Sequence, residues 1–365
     1  MAAMGVFIGF HRISLQIERR KFPPIGKLVE VNGHQMHVYS EGEGGETLVF
    51  LSGSGTAAPA LDFKALYSRL SSRYRIAVVE RAGYGFSDTA DTPRDIDTVL
   101  EETREALTLA GESGPYILFP HSLSGIEAIY WGQKYPSEVK GIIGLDAAVP
   151  SIYLSWGEEI LNKSAESMAK ISVLYQAGMV RLHPEIYDTD PAMTGDILSD
   201  EEKAAYRAMV MKSFMTKNMV DEARYAYANA AKVDSLEKPV QIPVLYYISD
   251  GSQVVEGWRD IVTSYIASDE LEVLKKISTG ELCLYGHRSD IDMWLPFDYE
   301  HQQGMVLKKV VQMNKAIGID GKMYYDNYLV ESIDGGNPII RVSNNLVIDL
   351  IGGKINFERH GTIKD

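Results

Sequence analysis

The 365-residue chain has almost no cysteine: Cys283 is the only one. That excludes an internal disulfide and any metal site built on cysteine ligands. Between Leu282 and Leu284, Cys283 reads as a small buried hydrophobe. Positive charge is scarce too. Lys and Arg number 36 against 50 Asp and Glu, a formal net charge of −14. With that charge, and no Lys/Arg-rich stretch with interleaved aromatics, neither nucleic acid nor an anionic membrane is an expected electrostatic partner. The apolar start, Met1 to Phe10, is too short to cross a bilayer. Its charges (Arg12, then Glu18 to Lys21) follow the apolar run, whereas a secretory signal puts them before it. Internal repeats and low-complexity tracts are missing as well. What is present suits a globular core: 45% hydrophobic residues, in a chain long enough for one large domain with an insertion or a small appendage.

The most informative stretch is Ile117 to Gly125, Ile-Leu-Phe-Pro-His-Ser-Leu-Ser-Gly. A β-type run, Tyr116 to Phe119, stops at Pro120, and Gly125 to Trp131 reads as a helix. Ser122 sits at the turn between them. A sharp strand-to-helix turn holds a weak nucleophile out at a sheet edge, and the helix N-terminus behind it favours developing negative charge. The same residues would also serve as an ordinary helix N-cap, through Ser122 or Ser124.

Ser122 and its neighbours resemble the α/β-hydrolase nucleophile elbow, Gly-x-Ser-x-Gly, with Pro120 and Ser124 in the glycine places. Three further segments carry the same resemblance in the same order. Leu48 to Gly55 is a hydrophobic strand entering a Gly-rich loop, similar to the family's loop after strand 3. Glu80-Arg81-Ala82-Gly83-Tyr84-Gly85-Phe86-Ser87 is similar to the Asp-x-x-Gly-x-Gly-x-Ser segment after strand 4, with Glu80 for Asp. Tyr135 to Asp146 resembles the Tyr-Pro turn and strand 6. The glycines of 83–85 lack the third Gly of a dinucleotide loop and any Walker Lys.

Along the chain, Lys27 to Asn32 and Gln35 to Tyr39 read as a hairpin around Asn32-Gly33. Strands at 47–51, 75–80, 115–120 and 140–145 then alternate with helices near 60–72, 94–110 and 124–134, the pattern of a parallel sheet. From Pro150 to Val240 helical signals dominate, over Trp156 to Val180 and Asp200 to Ala231. Pro243 to Ile248 and Glu281 to Tyr285 read as strands. Trp258 to Leu274 and Tyr299 to Ala316 read as helices, and strand signals return in the tail. The fold class expected is α/β, and the resemblance implies an α/β-hydrolase fold: a mostly parallel sheet flanked by helices, with a helical cap after strand 6. The corresponding domains are an N-terminal segment at 1–26, a body at 27–149 and 241–316, a cap at 150–240, and a small β-rich C-terminal tail at 317–365. The N-terminal segment reads either as a short helix lying on a membrane surface or as a loosely docked terminus. A cytoplasmic or peripherally membrane-associated location follows.

For the site, the resemblance implies Ser122 as nucleophile, with the Ser54 and Leu123 N–H groups as oxyanion donors beside Gly53. His287, in Tyr285-Gly286-His287 after the expected last strand, takes the place of the catalytic base, whereas His121 beside the serine points elsewhere. The acid that orients the base is Asp250, after strand 7, or alternatively Asp146, at the end of strand 6. No metal is implied: His34 and His37 with Glu30 invite one, but strand alternation separates the two imidazoles. No cofactor is expected. The cap's Met and Tyr residues read as packing onto the body or as lining of a soft apolar pocket. Two functions remain open. One is a serine hydrolase acting through an acyl-enzyme on a small ester, amide or peptide-like substrate. The other is a catalytically weak member of the fold that binds a ligand or partner.

Overall fold

The computed structural model describes residues 2–188, 190–236, 242, 244–249 and 254–266, and the backbone of short strands between 271 and 358. Helix α1 (Ala2–Lys21) leads into the hairpin β1 (Lys27–Val31) and β2 (His34–Glu41). Asn32 and Gly33 turn the hairpin with φ +47° and +81°, the left-handed pair that a two-residue hairpin loop needs. The alternating part follows: β3 (Thr47–Leu51), α2 (Pro59–Asp62), α3 (Lys64–Leu70), β4 (Arg75–Glu80), α4 (Ile96–Ala110), β5 (Tyr116–Pro120), α5 (Ser124–Lys134) and β6 (Val139–Leu145). A helical insertion comes next: α6 (Pro150–Trp156), α7 (Glu158–Gln176), α8 (Glu185–Asp188), α9 (Pro191–Thr194), α10 (Asp200–Ser213) and α11 (Lys217–Asp234). The chain then re-enters the sheet through β7 (Val244–Ser249) and α12 (Trp258–Ile266).

Local chemistry explains these boundaries. Asp95 caps α4 by accepting the Thr98 N–H, and Gly111 ends it in the left-handed conformation. Val99, Leu100, Thr103, Ala106, Leu107 and Ala110 recur at helical spacing and are all buried. Strands β3 and β5 are buried along their whole length, because helices cover both faces of the sheet. A capping box of Ser199 and Glu202 starts α10.

The sheet order is β1-β2-β4-β3-β5-β6-β7. Pairings β3–β4, β3–β5, β5–β6 and β6–β7 are parallel, and β2 joins β4 antiparallel. Parallel pairing puts the C-terminal ends of β3 to β7 at one edge. Leu51, Glu80, Pro120, Leu145 and Ser249 end their strands there, and the loops that follow meet above them.

Beyond α12 the structure departs from the sequence reading. The helix expected to reach Leu274 ends at Ile266, and β8 (Leu271–Ile277) takes its last residues. Strand β9 (Leu282–His287) ends two residues beyond the expected Tyr285 and runs antiparallel to both β7 and β8. A connection as short as 278–281 can return a chain only antiparallel. Of the helix expected over Tyr299 to Ala316, only the last two residues are described. They lie in β10 (Lys315–Ile317), which pairs with β8 and with β11 (Met323–Tyr325). A body–tail boundary at 316/317 therefore cuts a strand of the main sheet. The tail's other strands, β12 (Val330–Glu331), β13 (Ile339–Arg341), β14 (Val347–Asp349) and β15 (Asn356–Glu358), form a separate four-stranded antiparallel sheet.

Candidate active site

Ser122 lies between β5 and α5 with φ +51°, a left-handed conformation that costs a non-glycine residue about 1–2 kcal/mol. The surroundings hold it there. The Ser122 carbonyl accepts from Ala148 N at 2.8 Å and Gly125 N at 2.9 Å. The buried Ser124 hydroxyl donates to Leu51 O at 2.7 Å and accepts from His121 N at 2.9 Å. Ser124 therefore locks the elbow to β3. Gly125 is the glycine of close approach: a Cβ there would fall 2.1 Å from the Ala148 carbonyl oxygen. Gly125→Ala is expected to lower stability by about 1–3 kcal/mol, measured by urea denaturation, because the turn must move to admit the methyl.

The loop after β3 comes directly against this elbow. A Cβ on Gly53 would lie 2.9 Å from Ser122 Cβ and 3.0 Å from His121 Nδ1. The structure thus brings Gly53, Ser122 and Leu123 together, with Ser54 next in the loop. Among the described residues, no hydrogen bond takes up the N–H of Ser54 or of Leu123. Both remain available to an oxyanion at the N-terminus of α5.

The other expected site residues fare differently. Asp146 follows β6 at the same sheet edge with φ +50°. Its Oδ1 accepts from Ser249 N at 2.9 Å and Trp258 Nε1 at 2.8 Å, which fastens the end of β7 and the start of α12. Asp250, one residue past Ser249, lies outside the described residues. Of His287 only the backbone register is described. It pairs with Leu271, and Gly286 sits opposite Leu245. Its backbone therefore lies at the N-terminal end of β7, the sheet edge opposite Ser122. The reason is the antiparallel run of β9, which reverses the end at which the strand finishes. His121 is the histidine beside the site; burial lowers its pKa and the Asp146 carboxylate partly opposes that.

Sequence reasoning missed a buried charge cluster under the loop after β3. Arg81, after β4, donates to Ser52 O at 2.9 Å through Nη1 and to Gly53 O through Nη2. The same guanidinium takes Glu222 of α11 through Nε at 2.9 Å and Nη2 at 3.3 Å, and it stacks on Tyr84, whose hydroxyl also donates to Glu222. Glu127 of α5 stands farther off, 3.7 Å from Arg81, and accepts the Thr103 hydroxyl at 2.6 Å. The signal available in the sequence was the polar stripe Asn218, Glu222 and Asn229 on an otherwise apolar helix face. Asn218 bonds both backbone groups of Ala90, and Asn229 bonds Arg94 O and Ile96 N. From α10, Lys212 donates to the carbonyls of Gly85 at 2.6 Å and Ser87 at 2.8 Å. Met209, Met211 and Tyr206 sit in an apolar cluster with Ala57, Ala58, Leu61 and Phe86, so these three pack the insertion onto the body.

Glu127 carries a pH signature. Burial pushes its carboxyl up from 4.5 to about 7, against the pull of Arg81 and Thr103, because Glu222 claims most of the guanidinium. A carboxyl with a raised folded pKa binds more protons folded than unfolded. Its contribution is complete below pH 4.5 and is lost as pH rises towards about 7. Glu127→Gln is expected to flatten the fall in Tm across that window, read by thermal melts at matched ionic strength.

Glu80, the acid of the second glycine-rich segment, is structural. It is fully buried and accepts from Ala60 N at 3.1 Å, Phe86 N at 2.6 Å and His37 Nδ1 at 3.0 Å. His37 Nε2 accepts the Gly26 N–H, which leaves Nδ1 as the protonated nitrogen. His37 is thus a tie between the hairpin and β4. Among the described residues no group of His, Cys, Asp or Glu is arranged to hold a metal ion.

No family model matches the chain. It is 42% identical over 245 residues to the uncharacterized protein YbdG of Bacillus subtilis, covering 67% of this chain and 74% of that one. It is 28% identical over 123 residues to 2-(acetamidomethylene)succinate hydrolase of Mesorhizobium japonicum, spanning 42% of that enzyme. Among solved structures, the epoxide hydrolase VrEH1 of Vigna radiata superposes with TM-score 0.50 at 21% identity, over 65% of this chain and 84% of that one. The order and direction of β1 to β7, the Ser122 elbow and the superposed structure agree on an α/β-hydrolase fold, and the chain belongs to one family with YbdG.

Proposed function

We propose that the protein is a serine hydrolase that cleaves a small ester, amide or peptide-like substrate through an acyl-enzyme on Ser122. The observation that carries this reading is the strained Ser122 itself. Its left-handed backbone is held from three sides, with the N–H groups of Ser54 and Leu123 beside it. Strain of this kind is kept where it serves chemistry. In the reaction Ser122 Oγ attacks the carbonyl carbon, its proton passes to a histidine, and the two N–H groups hold the oxyanion. The histidine then protonates the leaving group, and water releases the acid. Asp250, or Asp146 at the same sheet edge, orients the imidazole. The helices of 150–240 act as the cap that selects the substrate.

A second reading, a member of the fold that binds a ligand or partner with little turnover, is favoured by one observation. The register of β9 sets His287 at the edge away from Ser122, and no described side chain bonds the Ser122 hydroxyl. A fluorophosphonate probe separates the two. Labelling of the protein that Ser122→Ala abolishes supports the hydrolase, and no labelling supports the binding protein. The base is assigned by comparing His121→Ala with His287→Ala on p-nitrophenyl acetate. The variant that loses about 10³-fold or more in kcat marks the imidazole that serves Ser122.

A further inference from the structure

Helix α1 packs on the insertion by one face only. Phe7 and His11 close on Gly178, where a Cβ would come within 2.8 Å of His11 and 3.2 Å of Phe7. Arg181 donates to His11 Nδ1 at 2.8 Å and to both carboxylate oxygens of Glu18 at 2.7 Å. Leu15 and the buried Phe22 join the apolar cluster of α10. The helix is therefore fastened, and its outward face is a defined surface.

That outward face is apolar. Val6, Phe10, Ile13 and Ile17 recur at i, i+4, i+7 and i+11, and they are 74%, 57%, 61% and 60% exposed. Leu174 and Leu182, also exposed, flank the 178–181 segment against which α1 packs. Single exposed hydrophobes are ordinary, but a continuous stripe on a docked helix marks an interaction surface. Its flanks are basic. Arg12, Arg19, Arg20 and Lys21 are exposed, and the helix's one acid, Glu18, is consumed by Arg181. In a chain of net charge −14, this helix is a local positive surface.

We propose that α1 lies in the plane of an anionic lipid bilayer, with Val6, Phe10, Ile13 and Ile17 among the acyl chains and Arg12 and Arg19 to Lys21 at the headgroups. Apolar burial and attraction to anionic lipid act together on such a helix. An in-plane position also fits its composition, since no helix among the described residues is long and apolar enough to cross a membrane. The inference does not depend on turnover at Ser122.

The test is flotation of the full chain with vesicles of phosphatidylcholine alone and of phosphatidylcholine with about a third phosphatidylglycerol, at low and high salt. Binding at least tenfold stronger to the anionic vesicles, weakened by salt, is expected. Phe10→Glu and, separately, Ile17→Glu should abolish it without lowering Tm, because both side chains face solvent. Arg19→Gln with Arg20→Gln should cost about fivefold per charge on anionic vesicles and nothing on neutral ones. Failure to float on either vesicle overturns the proposal. So does a concentration-dependent dimer, seen by light scattering, that Phe10→Glu dissolves while vesicles bind nothing; the stripe would then belong to a second copy.

Discussion

Ser122→Ala is expected to lower kcat on p-nitrophenyl acetate by about 10³-fold or more and to abolish fluorophosphonate labelling. The fold should survive, because alanine keeps the Cβ and the backbone bonds from Ala148 and Gly125 hold the turn. Ser122→Gly gives the complementary result. Glycine adopts φ +51° without the left-handed penalty, so this variant should be equally inactive yet more stable by about 1 kcal/mol. The pair separates chemistry from strain: both lose the hydroxyl, and only one relieves the backbone. Near-normal turnover by either variant would remove Ser122 as the nucleophile. If Ser122→Gly is no more stable than Ser122→Ala, the elbow carries no strain worth relieving.

The second large effect is expected at Arg81. Replacing it with methionine leaves Glu222 and Glu127 buried without their cation and frees the carbonyls of Ser52 and Gly53. Removing one partner of a buried ion pair costs about 3–5 kcal/mol, far above the value of an exposed pair. Urea denaturation should show that loss. The double variant Arg81→Met with Glu222→Gln should recover part of it, since it no longer strands the Glu222 charge. A loss within about 0.5 kcal/mol for the single variant would mean that the cluster is not what holds α11 to the body.

The legible part of the molecule was the part governed by local pattern. Strands 47–51 and 75–80 and helix 124–134 are found where hydrophobic periodicity put them, because buried parallel strands and one-faced helices write their period into the sequence. The Ser122 elbow was legible for a related reason, since a strand, a small polar turn and a helix must follow one another within a few residues. The Arg81 cluster was not. Its members come from the end of β4, from α5 and from α11, and each reads alone as a surface charge. Only tertiary packing puts them on one guanidinium. Beyond 266 the reading failed for another reason. Leu271 to Ile277 carries Val and Ile among charges, a pattern that suits a strand as well as a helix end. Once it forms β8, the strand after it must reverse, and the resemblance's place for His287 moves to the other edge.

Arg81 holds two things at once, the carbonyls of the loop beside Ser122 and a carboxylate of the insertion. The insertion is therefore not an exchangeable module. A chimera that imported foreign helices over 150–234 without an acid in the place of Glu222 would strand a charge beneath the loop after β3, and the loop would loosen even with every loop residue intact. Substitutions on the free faces of α7 and α10 touch none of this, while the inner face of α11, with Asn218, Glu222 and Asn229, is coupled to the loops it holds. Redesign of the insertion therefore has to proceed by substitution within the existing helices rather than by wholesale replacement of them.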